Sequence, residues 1–152
     1  MKKTHVSKLI EQNINELVEK WMNAVRLDED ILSDDGLPET GLRDHVPEML
    51  EEICGILRTG EMPGSENTRE AHVSAFTRYL QDYRGRDLAK ELSLLRMILL
   101  KFLDKNLLSM PPEITLDEYL RATQTIHLYL DEEIRFAFSI YTEPHLPPHK
   151  HL

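Results

Sequence analysis

A single cysteine, Cys54, stands in 152 residues. It excludes an internal disulfide and any cysteine-built metal cage. Its place on the apolar side of a helical stretch, with Glu51 and Glu52 beside it, predicts a small buried hydrophobe rather than a reactive thiol. Basic residues are also scarce, since 18 Lys and Arg against 27 Asp and Glu give a formal net charge of -9. That deficit argues against nucleic acid as a partner, because a phosphate-backbone binder needs surplus cation to displace counterions. No apolar run reaches the roughly 20 residues of a membrane-spanning helix. The start Met1-Lys2-Lys3 lacks the apolar core of a secretory signal, so a cytoplasmic location is expected. No period-2 alternation persists, which excludes a sheet. A phosphate-cradling glycine loop, a dinucleotide fingerprint, a hydrolase nucleophile motif and a His-Glu-x-x-His helix are all missing. No catalytic residue and no metal ligand set are therefore expected.

What remains is helical periodicity. Val6, Leu9, Ile10, Ile14, Leu17, Val18, Trp21, Met22 and Val25 recur at helical spacing and predict an amphipathic helix from about His5 to Leu27. A loop rich in Asp, Gly and Pro follows from Asp28 to Gly41. The second helix opens at Leu42–Asp44, tolerates Pro47 in its first turn and ends near Gly60. The third runs from about Thr68 to Tyr83, with His72, Phe76, Tyr79, Leu80 and Tyr83 on one stripe. The fourth starts near Asp87, and its Leu92–Leu103 run is apolar almost all round, as in a central or interface helix. Pro111-Pro112 then breaks the chain. Thr115 with Glu118 three residues on reads as a capping box that opens a long fifth helix ending near Glu143. The expectation is one all-α domain over residues 1–143, a bundle of about five main helices with a globin-like arrangement as one variant, and a frayed Pro/His-rich tail over 144–152.

Few residues invite chemistry. His72 on its apolar stripe, with Phe76 and Tyr79, suggests a contact for haem or another small molecule, and His127 is a second candidate. The commoner reading of both is structural, and no cofactor is required. His127 can pair with Asp131 four residues on. Glu51-Glu52 and Glu132-Glu133, adjacent in sequence, point about 100° apart on a helix and read as solvated faces. The apolar surplus of the last two helices suggests a homodimer interface through Leu95, Leu99, Phe102, Leu130 and Ile134.

The order of features resembles the N-terminal domain of RsbT co-antagonist (RsbRD-type) proteins. The resemblance is carried by Ile14, Trp21 and Val25, by the block Leu42-Arg43-Asp44-His45-Val46-Pro47-Glu48-Met49-Leu50-Glu51-Glu52-Ile53, by His72, and by Leu88, Glu91, Leu92, Leu95, Arg96 and Ile98. Val73 and the run Tyr83-Arg84-Gly85-Arg86 depart from that family's pattern. The resemblance implies a helical input domain of bacterial stress signalling. Such a domain would act on a protein partner and have no catalysis of its own.

Overall fold

The computed structural model describes residues 4–33, 35–43, 45–107 and 114–142. Lys2-Lys3, the Pro111-Pro112 break and the 144–152 tail lie outside the described residues. Within them the chain forms seven helices and no strand: α1 (Thr4–Glu11), α2 (Ile14–Leu27), α3 (Glu39–Arg43), α4 (Val46–Thr59), α5 (Arg69–Leu80), α6 (Gly85–Leu107) and α7 (Leu116–Thr142).

The single first helix expected from the sequence is two. The Asn13 side-chain amide donates to the Leu9 carbonyl at 2.8 Å, and its backbone N–H donates to Ile10, closing α1 just before α2 opens. Asparagine offers the backbone this alternative to continued helix. Pro47 sits in the first turn of α4, and Gly60 ends that helix at φ 83, a left-handed conformation that glycine adopts without penalty. Thr115 caps α7 by accepting the Glu118 N–H at 3.1 Å. The other half of the expected capping box is absent. The Glu118 carboxylate instead accepts the Val6 N–H at 2.8 Å and lies 3.5 Å from His5, tying the first turn of α7 to α1.

The longest helix, α7, is central and packs against α1, α4, α5 and α6. Its Ala122, Ile126, Tyr129, Leu130, Ala137 and Ile140 join Leu17, Trp21, Met49, Leu50, Ile53 and Leu57 in one core. Burying each large apolar side chain of this set contributes about 1.5–3 kcal/mol. The Trp21 indole N–H donates to the Glu91 carbonyl at 3.0 Å and fixes α2 against α6. Asp87, buried in the first turn of α6, accepts the backbone N–H groups of Leu32 and Ser33 and the Ser33 hydroxyl, so it clamps the loop after α2, which ends at Glu39 where α3 opens rather than at the expected Gly41. α6 and α7 run antiparallel, with Tyr141 over Gly85 at one end and the Tyr119 hydroxyl donating to Asp104 at the other.

The inner face of α5 differs from the aromatic stripe expected for it. Ala71, Ser74, Ala75 and Arg78 are buried, whereas Phe76 is 40% exposed and Leu80 is 47% exposed. Small side chains let α5 approach α7 closely, and the bulky stripe is displaced to the edge of that contact.

Candidate functional site

Three features converge on α7, one on its inner face, one at its edge and one on its outer face. On the inner face lies a buried polar seam. The Arg78 guanidinium donates to Glu91 at 3.3 Å, to the Leu42 carbonyl at 2.7 Å, to the Gly41 carbonyl at 3.1 Å and to Gln81 at 2.7 Å. Its plane also lies 4.8 Å from the Tyr83 ring centroid, and the Tyr83 hydroxyl donates to Glu91. One side chain thus holds α3, the end of α5 and the first third of α6 together.

Glu133 lies beside this cluster, wholly buried, and neither of its carboxyl oxygens makes a hydrogen bond among the described residues. Burial pushes its carboxyl up to about 8; the Ser74 hydroxyl and Arg78 pull the other way, and Glu91 adds to the rise. One turn before it, Tyr129 donates its hydroxyl to Glu52, which also accepts the Glu70 N–H at 2.9 Å. Burial, then Glu52, raises the Tyr129 phenol far above its usual range. The expected solvated faces are corrected accordingly. Glu133 points into the core, and Glu52 braces α5 and α7, while Glu51 is exposed.

At the α5–α7 edge, His72 stacks on Phe136 at 4.2 Å and its Nε2 lies 3.2 Å from Glu132 and 3.4 Å from the Thr68 hydroxyl. Burial would raise the Glu132 carboxyl, but Arg135 and His72 together hold it below its ordinary value. Phe76 stacks with Tyr79, and Tyr79 meets Tyr141 edge-on at 5.2 Å. His72, Phe76 and Tyr79 therefore share one edge. His127 does not join them. It is exposed on the outer side of α7, where Arg96 reaches its Nδ1 at 2.8 Å and Asp131 at 2.7 Å. Among the described residues no three His, Cys, Asp or Glu side chains gather to hold a metal.

The outer face carries the unspent apolar surface. Leu116, Leu120, Thr123, His127, Asp131, Ile134 and Phe138 follow one another at steps of three and four and form one stripe. Leu116 is 65% exposed and Phe138 is 69% exposed. Beside Phe138, Gly85, Leu88, Leu92, Ile134 and Tyr141 line an apolar groove of about 220 Å³ between α6 and α7. The interface residues expected from the sequence divide here. Leu95, Leu99 and Leu130 are buried in the chain's own core and are unavailable to a partner. Phe102 lines a separate groove between α2 and α6, rimmed by Lys20, Lys101 and Lys105. Ile134 alone of the five reaches the outer stripe. Cys54 is buried, and burial followed by Glu11 pushes its thiol up to about 12, so it is an unreactive core residue as expected.

The sequence does not single out Arg78, offers Glu91 only through the family resemblance, and suggests a solvated face for Glu133. Glu133 lies seven residues from Ile126 and from Ile140, a spacing that already puts it on the buried stripe.

Among the described residues the longest helix carries a buried carboxylate on its inner face and exposed apolar side chains on its outer side. Residues 15–145 match the RsbT co-antagonist protein rsbRD N-terminal domain, and the chain belongs to that family. Neither curated proteins nor solved structures gave a match. No helix among the described residues is long and apolar enough to cross a membrane.

Proposed function

We propose that the chain is a non-enzymatic signal-input domain of bacterial stress signalling that works in the cytoplasm as a homodimer. It would regulate a kinase, phosphatase or other stress output by contact through its α6–α7 face. The observation that carries this reading is the side of α7 bordering α6, where Leu116 and Leu120 near one end and Phe138 near the other are left exposed, with Arg96 of α6 bonded to His127 and Asp131 between them. Exposed apolar side chains grouped on one helix face mark a docking surface. A long helix that touches four others on its inside can carry a change in packing to whatever sits on its outside.

The haem or small-molecule reading has less support. The His72 Nε2 is engaged by Glu132 and Thr68, and its ring is covered by Phe136. His127 lies on another side of the molecule. The groove beside Phe138 has neither His72 nor His127 in its lining.

Phe138→Asp places a charge on the stripe without entering the core. Sedimentation equilibrium of this variant is expected to give a monomer of unchanged helix content where the unaltered chain gives a dimer. A monomer in both cases sinks the homodimer reading, and a dimer in both sinks the outer stripe of α7 as its interface.

A further inference from the structure

Of the buried carboxylates described, Asp87, Glu91 and Glu118 each hold hydrogen bonds or an ion pair. Glu133 holds none. It faces Ser74 and Arg78 from α5 and Glu91 from α6. Along α7 it neighbours Tyr129, which is bonded to Glu52 of α4. Arg78 cannot simply neutralise it, because its donors are already directed to Glu91, Gln81 and the Gly41 and Leu42 carbonyls. The Tyr141 hydroxyl, also on α7, is another buried polar group without a hydrogen-bond partner. An apolar side chain of similar volume would fill Glu133's place at no desolvation cost.

We propose that Glu133 is a proton-operated switch, seated neutral in the α5–α7 contact and loosening that contact when it gives up its proton. This rests on the input-domain reading above and names its regulation. The neutral acid lets α7 lie against the small residues Ala71, Ser74 and Ala75. When a base removes the proton to solvent, the carboxylate is left among apolar walls with Glu91 nearby. It must then either draw Arg78 away from the Gly41 and Leu42 carbonyls or admit water between α5 and α7. Both responses move α7, and Ile134 and Phe138 of the docking stripe sit one and five residues further along the same helix. Proton loss inside thus becomes a change of the face outside.

The test is carbon-13 NMR of the glutamate carboxyls between pH 4 and 10, paired with amide hydrogen exchange corrected for its intrinsic pH dependence. In the full chain one carboxyl is expected to titrate near pH 8. Across that midpoint, exchange in the facing turns of α5 and α7 is expected to rise about tenfold through local opening. Glu133→Gln should remove the late titration and the rise together. Glu133→Leu should do the same and serves if the glutamine variant folds poorly. No late-titrating carboxyl, or an equal rise in the variants, overturns the proposal. Sedimentation of Phe138→Asp at one fixed pH judges the docking face separately, so either idea can fail alone.

Discussion

Replacing Arg78 with methionine is expected to cost about 3–5 kcal/mol of folding free energy, the range for removing one partner from a buried ion pair. The change strips Glu91 of its counter-charge at a site where both side chains are almost fully buried. It also leaves the Gly41 and Leu42 carbonyls without the donors that now reach them at 3.1 and 2.7 Å. Unpaired buried acceptors carry their full desolvation cost. Urea unfolding followed by fluorescence of Trp21, the single tryptophan and itself bonded to the Glu91 carbonyl, reads the loss directly. Pairing Arg78→Met with Glu91→Leu removes both charges, so the double variant should recover much of the loss. A loss below about 1 kcal/mol for Arg78→Met, the size of an exposed pair, would show that the seam does not hold these helices together.

The stability of the unaltered chain is expected to fall as pH rises from the ordinary glutamate value of 4.5 to about 8, with Glu133 as the cause. In that window the folded chain keeps the Glu133 proton while the unfolded chain has released it. The folded state binds more protons, so unfolding gains with every rise in pH, by about 1.4 kcal/mol per unit while the full difference holds. The contribution is fully present below 4.5 and gone above the folded value. Histidines titrate in the same range, so the diagnostic quantity is the difference between the chain and Glu133→Gln, which has no proton to lose. That difference should be small at pH 4 and should grow in favour of the variant up to about pH 8, in urea titrations at matched ionic strength. A difference that stays constant across the window would place an ordinary carboxylate at position 133.

Most of the architecture was legible because it depends on periodicity. The apolar spacing located α2, α4, α6 and α7, and the placement of Gly60 and Thr115 anticipated where α4 ends and α7 begins. The start expected at Leu42–Asp44 is corrected, since Leu42 belongs to the short helix α3 and α4 opens at Val46 with Pro47 in its first turn. The misreadings have physical causes. Asn13 broke the first helix through a hydrogen bond to its own backbone, which hydrophobic spacing does not register. In α5 the largest residues were taken for the inner face, but close approach to α7 selects the smallest. The acidic block Asp131-Glu132-Glu133 looked solvated as a unit. A helix turns about 100° per residue, so one of three adjacent carboxylates can enter the core while another stays in water. The docking stripe was half visible for a related reason. Apolar excess on the last two helices was plain in the sequence, but dividing it between the chain's own core and a partner required knowing which side α6 covers.

The proposed homodimer requires two copies to meet through the outer stripe of α7, and site-directed cross-linking tests that most directly. Cysteines are placed singly at Gln124 or Thr142, exposed beside the stripe, and at Glu29 or Glu48, exposed elsewhere. The native Cys54 stays silent because burial pushes its thiol up to about 12. A short bis-maleimide should join two chains in high yield from Gln124 and Thr142 and not from Glu29 or Glu48. Equal yields from all four positions, or linkage only from the latter pair, would contradict the proposed interface.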